Sequence, residues 1–351
     1  MEKIRIAIAG VGNCASALIQ GIEYYKSTQS TLGLLFPEIG GYKPQDIEIV
    51  AAFDIDERKV GKDISEAIWI SPNNTEKLFD VPYKNVKVMM GPILDGVPSH
   101  LKRFVKPASK EPVNVGKVLK EREVDILINL IPTGSAKASR YYAEQAIKAG
   151  VGFINGIPEL IVSSDDEFEK LALEYKVPIV GDDFKSQLGA TIVNRTLIKL
   201  FLDRGVKLDS CYQLNYAGNT DFVNLVFRGE TKHVTKSAAL KSLLPYDAEI
   251  STAFAYVESQ RDRKIARIEL KGRKWGGAQV RLSVELDVND SADAAGVMVD
   301  MIRCTKLAID RGISGRLISV SAYYAKHPPV QYPDDEAKRI LEEFIRGERE
   351  R

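Results

Sequence analysis

Ile4-Arg5-Ile6-Ala7-Ile8-Ala9 is a short apolar run that breaks into Gly10-Val11-Gly12-Asn13-Cys14-Ala15, and the residues beyond it read as a helix. The spacing G-x-G-x-x-A suits one kind of chemistry, the binding of a dinucleotide diphosphate. Gly10 permits a tight turn, Gly12 lets backbone N–H groups approach a pyrophosphate, and Ala15 keeps the helix close to the strand, so that the phosphates lie on the positive end of the helix dipole. Asn13 and Cys14 fall in the same turn. A second apolar run, Ile47 to Phe53, ends in Asp54, which sets an acid at a strand end to accept both ribose hydroxyls and repel the 2′-phosphate of NADP. NAD is thereby favoured over NADP. The acid usually follows the loop by about 20 residues; here Lys26 to Gln45, with Gly33, Pro37, Gly40, Gly41 and Pro44, reads as an insertion before the second strand.

The other chemistry-bearing residues stand further along. His100, His233 and His327 are the histidines, none in a Ser/His/Asp or H-E-x-x-H setting, so neither acyl transfer nor zinc hydrolysis is indicated. Gly181-Asp182-Asp183-Phe184-Lys185-Ser186-Gln187-Leu188-Gly189-Ala190-Thr191 crowds acid, cation and amide into one loop between the apolar Val177 to Val180 and a helix running toward Leu202. A bare helix cap needs only one such group. Gly218-Asn219-Thr220-Asp221 follows, then Lys232 and Lys236 at i, i+4 spacing, then Asp262-Arg263-Lys264, and finally Lys326 before His327-Pro328-Pro329. Taken singly, a lysine pair at that spacing is a solvated helix face, and a lysine at a strand start is a surface residue.

These residues must be carried by a scaffold. In the first half, apolar runs at Val86 to Met90, Ile126 to Ile131, Gly152 to Ile154 and Val177 to Val180 alternate with helix-like stretches, which predicts a Rossmann-like, doubly wound parallel sheet of the α/β class. Asn129-Leu130-Ile131-Pro132-Thr133-Gly134-Ser135 then lies at the carboxyl edge of that sheet, before an Ala-rich helix over Ala136 to Ala149. From Lys264 a strand, a turn at Gly272 to Gly277 and the strict alternation of Val280, Leu282, Val284, Leu286 and Val288 predict a half-buried antiparallel hairpin. Its apolar face needs cover from helices of the chain or from another subunit. Asp290 and Ser291 cap a helix that runs through Leu307 to Gly312, Ile318 to Ala322 reads as a strand, and the tail from Asp334, with Ile340, Leu341, Phe344 and Ile345, as an amphipathic helix. The expected division is a NAD-binding domain over residues 1–185, an α+β catalytic and oligomerisation domain with an antiparallel sheet over 186–295, and a return to the first domain over 296–351.

Composition removes several alternatives. Lys plus Arg at 49 against Asp plus Glu at 48 leaves a formal charge of +1, no field for nucleic acid or an anionic membrane. The basic stretch Lys102 to Lys120 is answered by Glu121, Glu123 and Asp125 and reads as a solvated face. Cys14, Cys211 and Cys304 are too far apart for a zinc knuckle or a disulfide framework. Met1-Glu2-Lys3 leads into a strand rather than a long apolar segment, so a soluble, cytoplasmic protein is expected.

Together the opening G-x-G-N, the Asn129 to Ser135 loop, Ile154-Asn155-Gly156-Ile157-Pro158, G-D-D-F-K-S, G-N-x-D with Asn224 beyond it, K-x-x-x-K, D-x-K, Asp290-Ser291 and the lysine before the last prolines resemble the myo-inositol-1-phosphate synthase family (inositol-3-phosphate synthase in the other ring numbering), in its shorter prokaryotic type. The likeness covers nearly the whole chain. It departs from the eukaryotic enzymes in lacking their long terminal extensions, in Gln187-Leu188-Gly189-Ala190 after the Lys-Ser pair, and in weak similarity from Ser237 to Gln260.

The resemblance implies conversion of D-glucose 6-phosphate to 1D-myo-inositol 3-phosphate (1L-myo-inositol 1-phosphate), by oxidation at C5, enolisation, aldol closure of C6 on C1, and re-reduction. It places Lys232 and Lys236 near C5 and the phosphate, with Lys232 the expected carrier of the C5 hydroxyl proton, Lys264 and Lys326 at the phosphate and the aldol oxygens, and Asp183, Asn219, Asp221 and Asp290 as groups that orient those lysines, the sugar hydroxyls or the nicotinamide ribose. Gly10, Gly12, Asn13, Cys14, Ala15, Asp54, Thr133, Gly134, Asp183, Lys185 and Ser186 are the expected NAD contacts, and a homotetramer is the expected assembly. A divalent metal is compatible with the family, but its ligands are not readable from the sequence. Two other readings share the fold. An NAD-dependent dehydrogenase of a sugar phosphate or semialdehyde would release NADH, and a non-catalytic nucleotide sensor would keep Gly10, Gly12 and Asp54 without needing the spaced lysines.

Overall fold

The computed structural model describes residues 3–228, 240–241 and 243–351. Its first six strands are β1 (Ile4–Ala9), β2 (Ile47–Asp54), β3 (Val88–Met90), β4 (Ile126–Asn129), β5 (Gly152–Asn155) and β6 (Pro178–Val180). They are followed by β7 (Lys207–Ala217), β8 (Glu249–Tyr256), β9 (Arg263–Arg273), β10 (Gln279–Asn289) and β11 (Gly315–Arg316). The helices up to the second sheet are α1 (Asn13–Thr28), α2 (Ile64–Ala67), α3 (Val115–Glu121), α4 (Ala136–Lys148), α5 (Asp166–Glu174), α6 (Ala190–Asp203) and α7 (Thr220–Arg228). The last three are α8 (Asp290–Asp310), α9 (Ile318–Tyr324) and α10 (Asp334–Arg346).

Seven strands form a parallel sheet in the order β11-β6-β5-β4-β1-β2-β3, so the strand order reverses beside β1 and leaves a crevice at the carboxyl ends of β1 and β4. The residues of β1 explain its central place. Ile4, Ile6 and Ile8 are fully buried with α1 and α8, while Ala7 and Ala9 are buried against α3 and α4 on the other face. A strand apolar on both faces must be sandwiched, and each isoleucine so buried contributes roughly 2–3 kcal/mol.

The second sheet runs β10-β9-β7-β8. The expected hairpin forms, with Leu282 opposite Leu270 and Val284 opposite Ile268, but β7 pairs with β8 in parallel, so the sheet is mixed. Its apolar face is covered within the chain: Ile198 and Phe201 of α6 pack with Ile268 and Leu270, and Leu282 and Leu286 join them. The alternation therefore needs no second subunit to explain it.

Helix α8 joins the two sheets. Asn289 caps it, accepting from the N–H of Ala292 at 3.3 Å, in place of the expected Asp290 and Ser291, which are the first two residues of the helix itself, and Ala294 and Met298 lead it down to pack with α1 beneath the first sheet. The insertion after α1 is tied to its flank, where Arg303 donates to the carbonyls of Phe36 at 2.9 Å and Pro37 at 3.2 Å.

One expected element is of the wrong type. Ile318 to Ala322, read as a strand, is the first part of helix α9. The edge strand is the short β11 just before it, and the following residues coil under the sheet with Ser319, Val320 and Ser321 all fully buried, so tertiary burial overrides the β-branched preference. Among the described residues no helix is long and apolar enough to cross a membrane.

Candidate active site

At the crevice the chain turns sharply. Gly10 has φ +93°, and a Cβ there would lie 2.6 Å from the Leu130 carbonyl oxygen, so any other residue would collide with the β4 loop. Gly12, the N-cap of α1, has open space where a Cβ would stand, which is room for a ligand. The turn is fixed from two sides. Asp54 at the end of β2 accepts the N–H groups of Val11 at 2.8 Å, Ile55 at 2.7 Å and Asp56 at 2.9 Å. Lys59 Nζ donates to the Val11 carbonyl at 2.7 Å and to Asn73 Oδ1 at 2.9 Å.

The facing wall is built from charged pairs. Lys326 Nζ donates to Asp183 Oδ1 at 2.7 Å, with Asp183 held at φ +63° in the loop after β6. Lys264 at the start of β9 pairs with Asp290 at the start of α8. Asp221 of α7 accepts from Thr133 Oγ1 at 2.9 Å, which ties α7 to the β4 loop. Between the walls sits Asp262, whose Oδ1 accepts from Asn13 Nδ2 at 2.8 Å, Asn219 Nδ2 at 3.1 Å and Ser291 Oγ at 2.9 Å. Its Oδ2 is buried with no hydrogen-bond partner among the described residues, and burial, then the nearby Asp290 charge, pushes its pKa up to about 6. Burial likewise pushes the Cys14 thiol up to about 12, which keeps it protonated and unreactive.

One pocket collects most of the expected residues: Gly10, Gly12, Asn13, Cys14 and Asp54 on one side, and Asp183, Ser186, Asn219, Asp221, Lys264, Asp290 and Lys326 on the other, with Thr133 between. Three expected cofactor residues are not in its lining. Ala15 is fully buried in the packing of α1, the close-contact role its small size suits. The Gly134 N–H donates to Glu159 Oε1 at 2.8 Å. Lys185 turns away, donating to the Ala322 carbonyl at 3.1 Å and to Asp334 Oδ1 at 3.2 Å, so it braces α9 and α10; burial lowers its pKa to about 8. Lys232 and Lys236 lie outside the described residues. Among the described residues no group of three or more His, Cys, Asp or Glu is arranged to hold a metal ion.

Two residues escaped the sequence reading. Asp262 stood in the quoted D-x-K segment, which is a signal, yet its partners are as far as 249 positions away. Lys59 carried no signal, since only the fold brings it under the glycine turn.

Comparison with known proteins decides the family. The chain is 46% identical over 354 residues to the inositol-3-phosphate synthase of Mycobacterium tuberculosis, covering 98% of this chain and 96% of that protein. It belongs to the inositol-3-phosphate synthase family. The synthase of Corynebacterium glutamicum is 43% identical over 97% of this chain and 98% of its own length. Residues 189–291 match the family model for myo-inositol-1-phosphate synthase. That stretch holds Asn219, Asp221, Lys264, Asp290 and Ser291 of the pocket. The crystal structure of inositol-3-phosphate synthase from Caenorhabditis elegans superposes with a TM-score of 0.80 over 98% of this chain and 86% of that one, and at 17% identity it speaks to the fold alone.

Proposed function

We propose that this chain converts D-glucose 6-phosphate to 1D-myo-inositol 3-phosphate with NAD held in the crevice between β1 and β4. The observation that carries this reading is the convergence, in one pocket, of a diphosphate-sized glycine turn and two acid-held lysines, Lys264 and Lys326. A dinucleotide fits the residues present. The open space at Gly12 admits phosphate, Asp54 at the end of β2 is an acceptor for ribose hydroxyls, and Ile55, Ile93 and Leu101 line the pocket as apolar neighbours for a base. NAD held there would supply the acceptor for a hydride from C5 of the sugar and, once reduced, the donor that returns it.

The side chains do the rest. The substrate brings a phosphate of nearly two negative charges; loss of the C6 proton develops charge on an enolate oxygen, and closure of C6 on C1 then moves it to an alkoxide. Lys264 and Lys326 present ammonium hydrogens to those oxygens, and preorganised donors of this kind are worth several kcal/mol where water is excluded. Asp183 and Asp290 hold the two lysines at their stations, while Asn219 and Asp221 orient sugar hydroxyls. Family resemblance puts Lys232 and Lys236 near C5 and the phosphate, and Lys232 is assigned the C5 hydroxyl proton.

The division at residues 185 and 295 is part of the same reading, with α8 carrying the chain back to the cofactor side. So is a homotetramer. The outer face of the second sheet, where Tyr212, Leu214 and Tyr216 stand beside the exposed pair Arg267–Glu285, is the surface offered to a second subunit.

Phosphorus NMR of the enzyme incubated with glucose 6-phosphate and NAD tests the reading: a single new phosphomonoester co-migrating with authentic inositol phosphate is expected. An oxidised sugar phosphate as the product contradicts it.

A further inference from the structure

Lys59 follows β2, has only 4% of its surface exposed, and lies in the wall of the pocket. Burying an ammonium costs several kcal/mol unless its charge and donors are used, and a methionine would fill the same slot without that penalty. Its described contacts show where the donors go. Nζ donates to the Val11 carbonyl at 2.7 Å and to Asn73 Oδ1 at 2.9 Å, and Asn73 Nδ2 donates to the same carbonyl at 3.1 Å.

The Val11 carbonyl belongs to the peptide that ends in the Gly12 N–H. In a trans peptide the C=O and N–H point in opposite directions, so pinning the oxygen aims the Gly12 hydrogen away from Lys59. A cation on the oxygen also polarises the peptide and makes its N–H a stronger donor. The preceding peptide is held by Asp54, which takes the Val11 N–H at 2.8 Å. Asp54 thus fixes one peptide of the turn and Lys59 the next, and Gly12 is where the open space begins.

We infer that Lys59 is a positioning residue for the diphosphate of the bound dinucleotide, holding the Val11–Gly12 peptide so that its N–H meets the anion and placing a positive charge beneath it. The inference rests on the dinucleotide reading above. It separates the diphosphate from the nucleoside, because adenosine carries no anion for Lys59 to serve.

Calorimetric titration of the purified enzyme with NAD, ADP and adenosine tests it. In Lys59→Met, affinity for NAD and ADP should fall by roughly 10-fold or more while that for adenosine changes less than about 2-fold. Lys59→Gln, which keeps a donor for the carbonyl but loses the charge, should fall between wild type and Lys59→Met, and it serves alone if Lys59→Met does not fold. Equal affinity for NAD in both variants and wild type, or an equal loss for all three ligands, overturns the role of Lys59 and leaves the dinucleotide reading standing. Failure of the wild-type enzyme to bind NAD overturns that reading and this inference with it.

Discussion

On its β1 side the pocket is shaped by backbone: a glycine that tolerates no Cβ, a residue, Val11, gripped at both its N–H and its carbonyl, and a carboxylate, Asp54, that fastens three backbone N–H groups. On its β9 side it is shaped by charged side chains, Lys264 with Asp290 and Lys326 with Asp183, that meet from distant parts of the chain. The difference bears on what each wall can lose. A backbone-built wall keeps its form when one side chain is cut, and the expected damage is to cofactor affinity. A wall made of buried ion pairs loses function and stability together, because removing one partner strands the other charge away from water.

The largest effect should therefore come from Lys326. Its partner Asp183 is 3% exposed, so Lys326→Met should lower kcat/KM by about 100-fold or more and also destabilise the fold by roughly 3 kcal/mol. Adding Asp183→Asn should restore most of the stability, read by thermal melting, and none of the turnover. A single variant that melts like wild type would show that this wall is not held by its charges.

Next is Asp54. Asp54→Ala should weaken NAD binding by roughly 2–3 kcal/mol, through lost ribose contacts, with kcat at saturating cofactor little changed. A kcat loss as large as that of Lys326→Met would erase the contrast between the walls. Preference for NAD over NADP should fall in the same variant.

The smallest effect belongs to Asp262, which touches both walls. Its pKa of about 6 lies above the ordinary carboxylate value, so the unfolded chain ionises first as pH rises from about 4 to 6 and the native state is progressively disfavoured over that window. Asp262→Asn keeps the oxygen that Asn13, Asn219 and Ser291 address but removes the titration. Relative to wild type, the variant should gain about 2 kcal/mol of stability between pH 4 and pH 7 in denaturant titrations. No change in the difference across that range would mean that Asp262 ionises as readily in the fold as in water.

The same contrast explains how much could be read from the sequence. The glycine turn, β2 with its terminal acid, the hairpin of β9 and β10 and the helix α8 were legible because each is a local pattern, a period of two or of 3.6, although the cap of α8 is Asn289 and not the expected Asp290 or Ser291. Ile318 to Ala322 was misread because its β-branched residues favour a strand and only the packing beneath the sheet makes them helical. Lys185 stands amid the polar residues of its loop, but its direction is set by Asp334, whose position on α10 no local pattern reveals. Residue resemblance brought Lys264 and Lys326 into one set; their acid partners, and the hub at Asp262, are long-range facts.

The central claim is that both walls serve one redox-neutral isomerisation. Supplying glucose 6-phosphate in large excess over NAD tests it most directly, with the inositol phosphate followed by phosphorus NMR and the cofactor by its reduced-form absorbance. The account predicts many turnovers per NAD and no lasting rise in that absorbance. Reduced cofactor accumulating in step with substrate loss, with turnover stopping when NAD is spent, would contradict it.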